Sequence, residues 1–447
     1  MKTIFSALVF AIWITLIVLF IQYSTNSKQP EPTIINVQTF KISANANIKS
    51  YLQKLLDKIQ AENSNLKFEF VQQNETPEII FETKQKNLPD NFDKIELIKK
   101  EVTLEPKIFA INLADRIPDF SIWLGWQKDK NINTIKEKLQ KLLHDELENE
   151  ISLTAVGDIM LGRYVGKKID DNSPDYPFAK IQSQVNQNDI TFGNLESPFN
   201  DRGESGLESM IFNAKPEAIK GLVNAGFDVL NFANNHCGDQ SKDGVNFTLK
   251  LLADNSIKVF GAGGNWQSAH QPQVIENKGW KIAFLGYSAL SITPKEYSAK
   301  ENSSGCNLMD SEQLQKDIEQ AKMQADFVIV SMHAGNEYQP KPTPTQIDFA
   351  HQAIDDGADV VVGHHPHVAQ PVEIYQNKFI FYSLGNFVFD QPWSKETKQG
   401  LVLDFKLLFN QVSFAKLVPV HIENSQVTLA DEKESAEILN RVFDNNN

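Results

Sequence analysis

The rhythm of apolar and polar positions changes twice along this chain. Residues 4–21 form an uncharged apolar run, preceded by Lys2 and followed by a polar stretch that ends at Lys28. That length spans a bilayer core as a helix. A cleaved signal peptide has a shorter apolar core and a small-x-small cleavage site, which is poorly matched here, so an uncleaved anchor over 4–22 is expected. Lys2 favours the short end inside and the bulk of the chain outside the membrane. The Pro-containing segment 29–32 reads as an extended linker.

Residues 35–149 have the texture of a small α/β domain. Helical periodicity over 48–59 and an amphipathic, charge-laced helix over 132–147 bracket strand-like runs at 68–71, 78–81 and 108–111. No cluster of ligand-forming residues stands in this part, and no function is assigned to it. From residue 151 short β-rich runs alternate with helical segments. Strands are predicted at 151–156, 190–192, 228–232, 258–260, 280–287, 327–331 and 360–362, and helices at 176–185, 216–225, 242–255, 311–325 and 345–356. Such alternation predicts an α/β domain of buried strands in layers over 151–425. After Pro371 the pattern turns to hairpins, and 426–447 is set apart as a C-terminal tail.

At 447 residues the chain exceeds one ordinary core, as the two regions already imply. A net charge of −14, from 43 basic and 57 acidic residues without a basic tract, excludes an ordinary nucleic-acid binder. Cys237 and Cys306 are the only cysteines. The fold therefore does not rest on a disulfide framework, and pairing of the two is left open.

The chemistry lies at the ends of the predicted strands. These are followed in turn by Gly157-Asp158, Asn194-Leu195-Glu196-Ser197, Asn234-Asn235-His236, His333 with Glu337, and Gly363-His364-His365-Pro366-His367. Ligands of α/β sheets gather outside the carboxyl ends of strands, so five such clusters would meet in one crevice. Singly, Asp158 reads as a helix cap, Asn194 and Asn235 as turn residues, Glu196 as a solvated acid and His333 as a loop residue. Jointly, carboxylate, amide and imidazole groups suit one or two divalent ions, with manganese, iron or zinc the best match. In the last cluster His-x-His spacing would aim His365 and His367 the same way from extended or looped backbone. Arg163 and Arg202 are candidates for holding a phosphate or carboxylate, with a surface ion pair the alternative for each. Glu337, four residues beyond His333, is placed to fix that imidazole's tautomer. Asn386 either bonds substrate or holds the turn before Phe387, and Cys237 reads as a packing residue.

These ordered motifs, with Ser383-Leu384-Gly385-Asn386-Phe387, resemble the CapA family of capsule and poly-γ-glutamate synthesis proteins over about 151–422. The resemblance implies a layered metallophosphoesterase-like β-sandwich flanked by helices. It implies Asp158 and His367 as ligands of one metal, Asn235, His333 and His365 as ligands of a second, and Glu196 or Asn194 in the bridging place. His236 takes the place of the general acid, and His364 falls to a supporting position. Metallophosphoesterases usually carry a histidine two residues after the first aspartate, where this chain has Met160. The function so implied is a membrane-anchored, extracytoplasmic, metal-dependent hydrolase or transferase in surface-polymer synthesis. Its expected partners are an anionic polymer or its precursor, the membrane, and membrane synthase or export subunits. The alternative, motivated by Met160 and Asn194, is a catalytically silent scaffold or polymer-binding subunit.

Overall fold

The structure is a computed structural model. It describes residues 150–443 apart from 203–205, 208–209 and 409, and, before them, separate segments between 38 and 148. The anchor expected over 4–22 lies outside the described residues, as do the expected strand at 108–111 and the linker at 29–32. Among the described residues, no helix is long and apolar enough to cross a membrane.

The chain divides into two compact units, Met1–Ile95 with Trp123–Leu139, and Glu96–Ile122 with Gln140–Asn447. The N-terminal strands are β1 (Gln38–Ala44), β2 (Leu66–Phe70), β3 (Ile79–Glu82), β4 (Phe92–Lys100) and β5 (Phe120–Gln127). They form one sheet in the order β2-β1-β3-β5-β4. Leu56 and Ile59, one helical turn apart, are buried. The amphipathic helix expected over 132–147 spans Asn133–Glu148.

The larger unit holds two stacked sheets. The first contains β6 (Ile151–Ile159), β7 (Ile190–Leu195), β8 (Val229–Asn231) and β9 (Lys258–Phe260). A two-stranded ribbon joins β10 (Ala262–Gly263) to a later strand, and β11 (Gln273–Asn277) and β12 (Trp280–Ser288) open the second sheet. The ribbon is closed by β13 (Gly305–Cys306), after which β14 (Phe327–His333), β15 (Val360–His364), β16 (Val372–Tyr375) and β17 (Lys378–Phe381) complete the second sheet. The chain then returns to the first sheet as β18 (Asn386–Val388), β19 (Gln399–Leu408), β20 (Gln411–Glu423) and β21 (Gln426–Leu429). The orders are β21-β20-β19-β6-β7-β8-β9, with β18 also paired to β6, and β11-β12-β14-β15-β17-β16. Strands β6 to β9 run parallel, as do β12, β14, β15 and β17.

Period-two alternation sorts side chains between layers. Ile151, Leu153 and Ala155 of β6 face Ile282 and Phe284 of β12, Phe327 and Ile329 of β14, and Val360 and Val362 of β15 in one core between the sheets. Phe284 meets Phe192 edge-on at 5.3 Å and Phe260 at 5.4 Å between ring centres, fixing the contact of the two layers. The outward residues Val328, Val330 and Val361 pack under the helices Ser311–Gln324 and Pro344–Asp356. On the opposite flank, Val156 and Leu230 pack under Arg163–Asp171, Ile219–Ala225 and Ser241–Asp254. The result is a helix-sheet-sheet-helix sandwich, with strands buried on both faces as their apolar composition requires.

Two expectations change. Only Gln182–Val185 of the helix expected over 176–185 is helical. Pro177 lacks a backbone donor and disfavours the helical conformation before it, so the stretch remains turns. Residues 426–443, set apart as tail, are built into the sandwich: β21 pairs with β20, and Ile438, Leu439 and Val442 of the helix Glu432–Phe443 enter the core between the sheets.

A buried carboxylate beside the core gives a pH prediction. Asp404 of β19 accepts Thr154 Oγ1 at 3.0 Å, Asn188 Nδ2 at 3.0 Å, and Gln184 and Gln187 Nε2 at 2.6 and 2.9 Å. Burial nevertheless dominates and pushes its carboxyl up to about 6. A raised acid stabilises the fold below its unfolded pKa of about 4, and the contribution is lost as pH rises through about 6. The stability of the native protein relative to Asp404→Asn is therefore expected to fall by about 2–3 kcal/mol between pH 4 and pH 7. Urea unfolding of both proteins across that range checks it; parallel profiles would refute the assignment.

Candidate metal centre

Strand register, more than any single motif, assembles the site. Asn386 of β18 pairs with Asp158 of β6, Asp158 with Asn194 of β7, and Asn194 with Asn231 of β8. In the other sheet His333 of β14 lies between Ser288 of β12 and His364 of β15. Residues in register on neighbouring strands share a face, so each sheet presents a row of polar side chains at the carboxyl ends of its parallel strands. Close strand approach is required for this. A Cβ on Gly157 would stand 1.9 Å from the Gly385 carbonyl oxygen, and one on Gly363 would stand 2.0 Å from that of Tyr382.

Glu196 is the focal group. It is fully buried, and neither carboxylate oxygen has a hydrogen-bond partner. Its Oε1 lies 3.7 Å from His367 Nε2, 3.8 Å from His236 Nε2 and 3.9 Å from His333 Nε2. Those separations are too long for hydrogen bonds, yet the nitrogens all point at one oxygen. Three sets of donor atoms gather within 4.8 Å of one another: Asp158, Glu196 and His367; Glu196, His333 and His365; and Glu337, His365 and His367. Glu196 belongs to two of them. A buried carboxylate without partners carries a desolvation cost of several kcal/mol unless a cation completes it. Oxygen and imidazole donors at this density fit a divalent ion of borderline hardness, and the sharing of Glu196 fits two.

Electrostatics across the cluster are strongly polarised. Burial pushes the Glu196 carboxyl well above the usual range, with the neighbouring Asp158 charge adding to it. Burial acts the same way on Asp158, but the His364 and His367 rings, 3.5 and 3.4 Å from its oxygens, overcome it and hold that carboxyl well below the range. Burial, aided by the adjacent His365, holds His333 well below its ordinary value, and burial with His367 pushes His365 down to about 3. His367 resists its burial because Glu196 and Asp158 raise it to about 9. His333 and His365 are thus held as neutral imidazoles, the ligand form of histidine, while His367 keeps its proton beside the two carboxylates.

Not every expected residue has a free valence. Asn194 donates through Nδ2 to Asp158 Oδ1 at 2.8 Å and meets His333 Nδ1 at 3.2 Å, while its Oδ1 accepts from Asn231 at 2.9 Å and Asn234 at 3.2 Å. It organises the row, leaving Glu196 as the carboxylate at the bridging place. Asn235 Oδ1 meets His333 Nε2 at 2.8 Å, within the cluster. Asn386 Oδ1 holds His367 Nδ1 at 2.9 Å, and its amide donates to Gln391 and to the Thr397 carbonyl, so it positions a ligand and buttresses the following loop. His364 lies 3.5 Å from Asp158 with both ring nitrogens buried and unbonded. Met160 is in the apolar core, its sulfur accepting Gly162 N–H at 3.1 Å.

His365 and His367 do not converge by strand alternation. The strand stops at His364, and both residues adopt left-handed backbone, φ 99° and 59°. Such geometry at non-glycine residues is strained and concentrates at functional sites. The amide of His365, turned inward, donates to Asp158 Oδ2 at 3.2 Å. Glu337 does not orient His333, whose two nitrogens face Asn194 and Asn235, but joins the set with His365 and His367.

His236 is held in one orientation at the edge of the cluster. Asp239, three residues on, takes its Nδ1 at 2.8 Å, and Phe212 stacks on the ring at 3.9 Å. That fixes the ring with Nε2 toward Glu196. Phe212 is itself held under the guanidinium of Arg163 at 4.7 Å. Arg163 is buried and paired with Asp390. Arg202 is not brought here: its guanidinium is exposed and bonds Asp243 at 3.0 Å. Asn231, Asp239 and Phe212 escaped the sequence reading, and Asn234 entered it only as part of its motif, without a role. Asp239 had a readable signal, a carboxylate one helical turn after a candidate acid.

The family model described as "Bacterial capsule synthesis protein PGA_cap" matches residues 152–391. The chain is 35% identical over 359 residues to a capsule biosynthesis protein CapA of Bacillus anthracis, covering 77% of this chain and 83% of that one. It is 31% identical over 335 residues to a PGA biosynthesis protein CapA of Bacillus subtilis, covering 74% and 84%. A solved calcineurin-like phosphoesterase of Bacillus subtilis aligns with 16% identity and a TM-score of 0.32 over 63% of this chain and 88% of that one.

Proposed function

Since this chain belongs to the family of bacterial capsule synthesis proteins described as PGA_cap, we propose that its sandwich is a metal-dependent hydrolase or transferase domain acting on an anionic surface polymer or its precursor. Relatives named for capsule and PGA biosynthesis support a polymer of the poly-γ-glutamate class. The single observation that carries the reading is Glu196, a buried carboxylate without a partner, surrounded by imidazole nitrogens at 3.7 to 3.9 Å.

Asp158 and His367 would hold one ion, His333 and His365 with Asn235 the other, and Glu196 would serve both. When bound, a divalent ion at such a site polarises a phosphoryl or acyl oxygen and lowers the pKa of its water. The chain's own residues supply the rest. Asn194 and Asn386 orient Asp158 and His367. His236, oriented by Asp239, delivers a proton from Nε2 to the leaving oxygen or nitrogen. Arg163, buried beside Phe212, contributes positive charge near Glu196 without leaving its bond to Asp390. An anchor over 4–22 would hold this domain outside the cell membrane, where synthase or export subunits of the polymer machinery would meet it.

The test is metal analysis of the full-length protein after dialysis against manganese, iron and zinc, with hydrolysis assays on phosphodiester and γ-glutamyl amide substrates. One or two retained ions and activity that chelation removes are expected. A protein that retains no ion would sink the proposal, and one that retains ions but cleaves and transfers nothing would favour the silent scaffold.

A further inference from the structure

Beyond the metal centre, the structure places the chain's two cysteines against each other beside a second cavity. Cys237 and Cys306 stand 69 positions apart in the sequence, yet both are buried and free. Their sulfurs bond the same carbonyl oxygen, that of Tyr297, at 4.0 and 3.8 Å, which brings the two thiols together, and burial with Cys306 alongside holds the Cys237 thiol well above its ordinary value. Cys306 also bonds the carbonyl of Asn234, in the segment that carries His236. A cavity of about 420 Å³ has Cys306 in its wall, together with Trp266, His270 and Lys316; Cys237 is not part of that wall. His270 is held through Nδ1 by Asp317 at 2.7 Å, which leaves Nε2 as its remaining ring nitrogen. The Lys242 ammonium, bonded to the Ser298 carbonyl at 2.9 Å, supplies positive charge near both sulfurs.

We infer that Cys306 is a thiol-modification site reached through this cavity by small disulfides, and that Cys237 resolves the adduct into an internal Cys237–Cys306 disulfide. In the first step the Cys306 sulfur attacks one sulfur of the reagent, the reagent's S–S bond breaks, and the departing thiolate takes up the proton that Cys306 gave up. In the second, Cys237 attacks the Cys306 sulfur and releases the other reagent thiolate, which takes the Cys237 proton. The chain loses two electrons and two protons, and one small disulfide becomes two thiols. The product ties the Asn234–His236 segment to β13, so the redox state of the pair bears on the residue that carries the acid. This proposal stands whether or not the site at Glu196 binds an ion.

The experiment exposes native full-length protein to oxidised glutathione and follows thiol titre, intact mass and cross-linked peptides. In the wild type, both thiols are expected to disappear together, leaving a Cys237–Cys306 cross-link and no retained glutathione. Cys237→Ser is expected to stop at a glutathione adduct on Cys306. Cys306→Ser should react on the order of ten-fold more slowly, because Cys237 is fully buried and stands outside the wall of this cavity. Circular dichroism spectra of both variants, matched to the wild type, show that they are folded. Adduct formation in Cys306→Ser at the wild-type rate would overturn the proposal. So would native wild type that keeps both thiols, or keeps a glutathione adduct, under conditions in which the urea-unfolded chain reacts.

Discussion

Glu196→Gln is expected to strengthen the metal-free fold and to abolish ion binding, two effects of opposite sign from one substitution. In the metal-free protein the carboxylate is buried with both oxygens unpartnered and its pKa pushed up by that burial. Replacing it by a neutral amide of the same shape removes a charge-bearing group from a place without solvent, and should raise stability by about 1 kcal/mol. In the presence of manganese or zinc the wild type gains stability in proportion to the logarithm of ion concentration, and the variant should not. Because Glu196 belongs to two of the three donor sets, its loss should cost more than the roughly 10–100-fold that removal of a supporting partner costs in metal affinity. Thermal unfolding at several ion concentrations, with and without chelator, separates the two effects. Equal ion-dependent stabilisation of both proteins would show that Glu196 holds no ion.

His236→Gln is the second large effect, and it falls on rate alone. No donor set includes His236, so ion content should be unchanged. Loss of a positioned general acid lowers kcat by about 10²–10⁴. The size of the loss depends on the leaving group. An alkoxide leaving group needs the proton and should show the full effect; a nitrophenolate leaves unaided and should show little. Asp239→Asn, which disturbs the Nδ1 bond at 2.8 Å while keeping the imidazole, should give a smaller loss with the same dependence. An equal loss on both substrates would remove His236 from the proton transfer and leave it a packing role on Phe212.

Strand ends were readable because parallel strands buried on both faces are long apolar runs, after which a polar group has few reasons to appear. Asp158, Glu196, His333, His365 and His367 could be read in this way, and the structure brings all of them together. What the sequence hid is long-range or conformational. The pairing of Asn386 with Asp158 joins segments separated by most of the domain, and local pattern carries no trace of it. Asn231 looks like one more strand residue until register sets it beside Asn194. The convergence of His365 and His367 depends on left-handed backbone, which histidine does not advertise. Arg202 shows the opposite error: a cation near a motif in sequence, yet out on the surface beside Asp243.

The sandwich has a consequence for how distant substitutions should be read. Asp158 and Glu196 descend from one sheet, and His333, His365 and His367 from the other. Neither layer holds a complete set of the candidate donors, so under the proposed function ion affinity would become a gauge of their mutual alignment. Phe192, Phe260 and Phe284, which set the contact between the layers, lie in the apolar core between them. Trimming one of them lets the sheets slide, and the slip is magnified where the two rows of donors must meet. An apparent defect in metal loading can therefore originate in hydrocarbon packing deep in the interior, with every coordinating side chain intact.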